Sequence, residues 1–138
     1  MPLSPLPANL AEFLRRPNPS VVALIKPSGE LLTTATWYEL VDDRTILLNM
    51  DASRARLKYL RQDPRVALTV IDADDSGAHV SISGTVTQIR PDPDLADIDR
   101  LSRRYTGHAL GDRDSDRWSA IIDITRWHGW RAKAPLNS

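Results

Sequence analysis

The sequence has no cysteine, and that absence excludes a disulfide framework, a thiolate nucleophile and any sulfur-ligated metal or iron centre. It has no apolar run approaching the length of a membrane span, so a spanning helix is not expected. It has no net charge: 18 basic and 18 acidic residues balance, which argues against broad attraction to nucleic acid or anionic lipid. The opening Met1-Pro2-Leu3-Ser4-Pro5-Leu6-Pro7 lacks a charged region followed by an apolar core, so no secretion signal is read there and a cytoplasmic location is expected. There is no internal repeat. His79, His108 and His128 lack the spacing of helical metal ligands, so no metal site is expected. Ser81-Ile82-Ser83-Gly84 is not a nucleophile elbow, and no acid, base and nucleophile set stands out; no catalytic residue is assigned.

What the chain does have is pattern. At 138 residues with an ordinary hydrophobic fraction, it reads as one globular domain over residues 1–138. Residues 10–15 predict a short helix that stops before Pro17-Asn18-Pro19. Residues 21–25 and 31–40 predict a hairpin about the turn Pro27-Ser28-Gly29-Glu30. After Asp42-Asp43-Arg44, residues 45–49 predict a third strand that runs into a helix ending near Asp63-Pro64. Residues 65–72 and 79–89 predict a second strand pair. Leu95, Ile98, Leu101 and Tyr105 recur at helical spacing over 94–105, with acids at the start and Arg103-Arg104 near the end, as the helix dipole favours. A polar loop over 107–116 leads to a last strand at 120–127. The expected architecture is mainly β, α+β: six antiparallel strands in a closed or nearly closed barrel with inserted helices.

Charge is unevenly spread along this frame. Between Arg54 and Arg65 stand Arg54, Arg56, Lys58, Arg61 and Arg65 against the single acid Asp63, on the predicted helix that follows a strand. Ser53 is placed as its N-cap, which would leave the amides of Arg54, Ala55 and Arg56 facing outward as free donors. A helix N-terminus ringed by cations is a ready phosphate site. The helical period puts Arg54, Lys58 and Arg61 on one face, the face of a solvated amphipathic helix, but sets Arg56 beside the Leu57 and Leu60 stripe, where a cation needs a partner.

The segments Lys26-Pro27-Ser28-Gly29, Leu32-Thr33-Thr34-Ala35-Thr36-Trp37-Tyr38 and Ser53-Arg54-Ala55-Arg56-Leu57-Lys58-Tyr59-Leu60-Arg61-Gln62-Asp63-Pro64-Arg65 together resemble the pyridoxamine 5′-phosphate oxidase-like split-barrel flavoproteins. Ser83-Gly84, Ile98-Asp99-Arg100-Leu101-Ser102-Arg103-Arg104-Tyr105-Thr106-Gly107 and Ile124-Thr125-Arg126-Trp127-His128-Gly129-Trp130 extend the resemblance to their actinobacterial deazaflavin-using branch, the flavin/deazaflavin oxidoreductases of type B. The resemblance implies a homodimer of six-stranded barrels with cofactor sites between the subunits. It implies that Arg54, Arg56 and Lys58 bind the cofactor phosphate and that Thr34, Ala35 and Thr36 lie along the pyrimidine edge of the ring. Asn49 and Met50 would support the same ring. His79 stands where many relatives carry an aromatic residue against the ring or substrate, and Trp37 and Tyr105 could pair with the partner's site or simply be core.

The function implied is an F420-dependent oxidoreductase that moves a hydride between deazaflavin C5 and a small conjugated organic substrate, with the protein binding, orienting and excluding water. An FMN-dependent enzyme resembling pyridoxamine 5′-phosphate oxidase is the alternative, since one phosphate cradle serves either cofactor. A basic groove running on toward Lys26 or Arg61 would favour F420, which carries a polyglutamate tail. A third reading is a non-catalytic flavin- or heme-binding protein.

Overall fold

The structure, a computed structural model, describes residues 5–132; residues 1–4, the start of the segment read as lacking a secretion signal, lie outside it. The elements in chain order are α1 (Ala8–Arg15), β1 (Ser20–Ile25), β2 (Leu31–Thr36), β3 (Glu39–Leu40), β4 (Thr45–Asp51), α2 (Ala55–Gln62), β5 (Arg65–Ile71), β6 (His79–Pro91), α3 (Ala96–Thr106) and β7 (Arg117–Trp130). The strands form one antiparallel sheet in the order β2-β1-β5-β6-β7-β4-β3. Among the described residues no helix is long and apolar enough to cross a membrane.

The sheet corrects the expectation of six strands in a closed or nearly closed barrel. It has seven strands, and its edges, β2 and β3, are not hydrogen-bonded to each other. The expected single strand over 31–40 breaks at Trp37-Tyr38, and those two residues carry the chain from one edge of the sheet to the other. The cause is side-chain burial. Tyr38 is fully buried, and its hydroxyl, at 2.8 Å and 2.9 Å from the carbonyl oxygens of Leu14 and Arg16, is tied to the end of α1. Burial raises its pKa above the usual phenol range, with the neighbouring Tyr105 adding to the effect. Arg104 of α3 completes the tie. It donates to the carbonyls of Tyr38 and Leu14 at 3.1 Å each, of Arg16 at 2.7 Å, and of Arg15, while its guanidinium lies over the Tyr38 ring. A cation among the last carbonyls of α1 also complements that helix's dipole.

The long partners β6 and β7 serve both halves of the curled sheet, and β6 bends to do so. Register shifts fall between Ser83 and Gly84 and between Val86 and Gln88, the mark of β-bulges. At Gly84 a Cβ would stand 2.5 Å from Ile122 Cγ2 and 2.7 Å from the Asp123 carbonyl oxygen, so only glycine lets the two strands approach.

Strand alternation assigns the faces. On β4, Ile46, Leu48 and Met50 enter the main core with Phe13, Leu14 and Tyr38, whereas Leu47 packs on the other face with Leu95, Ile98 and Leu101 of the α3 region. β4 is thus covered on both sides, as its near-continuous apolar run requires. Leu95 enters α3 at φ 60, a left-handed conformation costly for a branched side chain, and its burial under the helix holds it there.

Gly84→Ala is expected to lower stability in urea unfolding by about 1–3 kcal/mol, because backbone cannot yield to the added methyl and the clash outweighs the entropy gained in the unfolded chain. Unchanged stability would show that the β6 bulge has slack.

Candidate functional site

Two adjoining cavities open where the sheet fails to close. The larger, about 560 Å³, is lined by the ends of β1 and β2, by Trp37, by Ile98, Leu101 and Tyr105 of α3, by Leu110, and by Asn49, Arg56 and Arg117. The smaller, about 340 Å³, lies between β2 and the start of α2, with Thr34, Arg54 and Arg56 in its wall. Ala35 and Arg56 line both. The larger volume falls in the range of small-molecule sites, roughly 300–1,000 Å³.

The start of α2 differs from the sequence reading by one residue. Ser53 is not the N-cap; its amide donates to Asp51 Oδ1 at 2.8 Å in an Asx turn, and Arg54, in extended conformation, occupies the cap position with no side-chain cap. The Asx turn drops Ser53 out of capping reach and leaves the helix start open. Among the described residues the amides of Ala55 and Arg56 have no acceptor, while Leu57 donates to the Arg54 carbonyl at 3.2 Å. Free donors at a helix start favour an anion.

Arg56 lies between the cavities, and its Nη1 is buried without a hydrogen-bond partner. Among the described residues it forms no ion pair with a carboxylate. Burial lowers its pKa, and the positive charges of Arg54 and Arg117 lower it further. A buried donor on an unpaired cation is costly unless an anion completes it. Arg56, Arg54 and the free amides therefore fit a phosphate, and this fit rests on the donor set alone.

The remaining residues expected at the site sort by position. Thr34 lines the smaller cavity, Thr36 the larger, and Asn49 the larger. Met50 does not reach the site, because alternation along β4 allows only one of two successive residues to face the cleft, and Met50 is in the core. Lys58 is exposed and lines neither cavity, one turn too far along α2. His79 pairs across strands with Ile71 and Trp130 and lines neither cavity. Trp37 and Tyr105 stack face to face at 5.4 Å in the cleft wall. Among the described residues no group of His, Asp and Glu could hold a metal ion.

Sequence reasoning missed Arg117 and Asp92. Arg117 reaches the cleft because β7 pairs with β4 in a register that sets it opposite Asp51, a contact spanning 66 positions that no local pattern announces. Asp92 is buried and caps α3 from outside the helix: Oδ1 accepts from Asp97 N at 3.1 Å, and Oδ2 from Ile98 N at 2.9 Å and Asn49 Nδ2 at 3.1 Å. Asp99 pins the following loop, accepting from Leu110 N at 3.1 Å and Arg113 Nη1 at 2.7 Å, which sets Leu110 against the cleft.

The family model described as Pyridoxamine 5′-phosphate oxidase matches residues 6–131. A solved F420 Reductase superposes with a TM-score of 0.80 at 26% identity, the match covering 89% of this chain and 98% of the other. A conserved hypothetical protein from Mycobacterium tuberculosis superposes with a TM-score of 0.71 at 27% identity, covering 93% and 86%. General Stress Protein 26 from Bacillus anthracis, 10% identical with a TM-score of 0.68 and coverage of 91% and 93%, shares the fold. No curated protein matches the chain in sequence.

Two outcomes follow from the charges. Arg56→Met is expected to raise the stability of the ligand-free protein, by roughly 1 kcal/mol, because an unpaired buried cation is replaced by an apolar stem of similar length. Thermal unfolding reads the change, and a destabilised variant would mark Arg56 as structural. The second concerns acid. The Asp97 carboxyl lies below its usual range because hydrogen bonds from Ser119, Arg90 and Arg100 outweigh its burial, and Asp99 is lowered chiefly by Arg113. Depressed carboxylates stabilise above the unfolded value near pH ~4 and lose that contribution as pH falls through their folded values. The urea midpoint should fall steeply below about pH 4, and less steeply in Asp97→Asn/Asp99→Asn.

Proposed function

The chain belongs to the pyridoxamine 5′-phosphate oxidase family of flavin-binding oxidoreductases, and we propose that within it the protein is an F420-dependent reductase acting on a small conjugated organic substrate. The observation that carries the reading is the buried, unpaired Nη1 of Arg56 beside Arg54 and the open start of α2. The likeness to an F420 Reductase at 26% identity supports the choice of deazaflavin.

A bound deazaflavin would supply the hydride at C5, chemistry for which the protein needs no acid, base and nucleophile set of its own. The chain's residues do the rest. Arg54, Arg56 and the amides of Ala55 and Arg56 hold the phosphate. β2 runs from one cavity to the other, so Thr34, Ala35 and Thr36 line the path from the phosphate to the cleft. The stacked Trp37 and Tyr105, with Ile98, Leu101 and Leu110, give the cleft apolar walls that exclude water and orient a planar molecule.

FMN is the second reading, and one observation favours it. Lys26 and Arg61, the cations that would extend the groove for a polyglutamate tail, line neither cavity, and Arg61 lies over the Trp118 ring at 4.8 Å. The working unit we infer is a homodimer. In its support, Leu31 is 76% exposed at the rim of an apolar hollow formed with Ala23, Ile25 and Ala67, a surface suited to a second copy.

Titration of the protein with F420 and with FMN, followed by fluorescence, tests the assignment. F420 is expected to bind the more tightly, and Arg54→Ala/Arg56→Ala to weaken binding by several kcal/mol, about 3 or more. FMN preference moves the protein to the oxidase-like reading. Affinity unchanged in the double variant removes the phosphate site, and a monomer in solution scattering removes the dimer.

A further inference from the structure

The cleft has a polar corner that the phosphate site does not use. Arg117 opens β7 and lines the cleft, and its Nε–H donates to Asn49 Oδ1 at 3.0 Å. Asn49, only 6% exposed, is itself fixed: Nδ2 donates to Asp92 Oδ2 at 3.1 Å and to Ser119 Oγ at 2.9 Å. Ser119 in turn donates to Asp97 Oδ2 at 2.7 Å. Two strands and the start of α3 thereby set the direction of one guanidinium, with Asn49 as its positioning residue.

The Nη groups of Arg117 make no hydrogen bond or ion pair among the described residues. Three carboxylates attract it from nearby elements, Asp51, Asp112 and Asp92, yet burial prevails and its pKa falls, with Arg54 adding to the fall. Each of those carboxylates has its own donors: Asp51 accepts from Ser53 N, Asp112 from Asp114 N, and Asp92 from Asp97 N, Ile98 N and Asn49. With Nε occupied, the free end of the fork is the Nη pair, the geometry that meets a planar carboxylate through two parallel hydrogen bonds. Apart from Ser20, Thr36 and Arg56, the rest of the cleft wall is apolar and aromatic.

We propose that Arg117 is a second anion-recognition point, separate from the phosphate site at Arg54 and Arg56, and that the substrate taken by the cleft is a planar conjugated compound bearing a carboxylate. Its role as hydride partner rests on the function proposed above; the carboxylate recognition does not.

Ligand-observed NMR titration of the full chain with trans-cinnamate and with its neutral isostere cinnamamide tests this. The wild type is expected to bind cinnamate at least about tenfold more tightly than cinnamamide. Arg117→Met should reduce that preference to about twofold or less, and Arg117→Lys, which keeps the charge without the fork, should retain only part of it. Arg56→Met should leave the preference in place. Equal binding of the two compounds by the wild type overturns the proposal, as does a preference that survives Arg117→Met or vanishes with Arg56→Met. FMN and F420 titrated against the same variants separate the two readings. A cinnamate preference that follows Arg117 with no cofactor bound overturns the function and keeps this site; cofactor binding with no such preference overturns this site alone.

Discussion

The structure depends on how the sheet fails to close. Its edge strands β2 and β3 are consecutive in the chain and joined only by Trp37-Tyr38, so the seam between them cannot be sealed by a ladder of backbone bonds. It is sealed by side chains. Tyr38 is buried against the carbonyls at the end of α1, and Arg104 reaches across from α3 to the same carbonyls. Tyr105 donates to the Asn18 carbonyl at 2.8 Å, and Asn18 is buried in turn. What the seam leaves open is the cleft, whose wall is the stacked pair Trp37 and Tyr105. The clasp that holds the fold together and the wall of the site are therefore made by neighbouring residues of the same two elements.

Around that opening the protein carries positive charge it does not neutralise. Elsewhere several of its cations are matched: Arg113 with Asp99, Arg100 with Glu39 and Asp97, Arg65 with Asp63. At the cleft Arg56 and Arg117 are partly desolvated with no carboxylate ion pair among the described residues, and the charge of Arg54 nearby lowers the pKa of both. Crowded, partly buried cations destabilise a folded chain, and their clustering around two adjoining cavities is the signature of sites shaped for anions. The balance between stability and function is struck at Arg56, the residue common to both cavities.

Much of this was legible in the sequence wherever a local period carried the information. The hairpin over β1 and β2, the strand pair β5 and β6, the passage from β4 into α2, and α3 follow from apolar alternation, helical spacing and turn residues. The apolar run at 45–49 gave a strand, and its burial on both faces explains why the run is continuous. The rest was hidden, some of it because it depends on distant partners. The break at Trp37-Tyr38 reads as unbroken strand because aromatic residues favour strands, and only the pull of α1 and Arg104 on Tyr38 ends it. Ser53 looks like an N-cap until Asp51 takes its amide. The family resemblance sets Asn49 and Met50 at one site although a strand turns them to opposite faces, and it groups Lys58 with Arg54 and Arg56 although the helix carries it past the cavity. Arg117 had no local signal at all; it enters the site through the β4–β7 register.

The central claim is that the open start of α2, with Arg54 and Arg56, holds a phosphate that carries a flavin-type ring into the cleft. Calorimetric titration with FMN beside riboflavin, and with F420 beside its phosphate-free deazaflavin, isolates that group while the ring stays the same. Two charge-assisted hydrogen bonds at about 1.5 kcal/mol or more each predict that the phosphorylated form of the preferred cofactor binds roughly 100-fold more tightly. Equal affinity of the two forms would contradict the account.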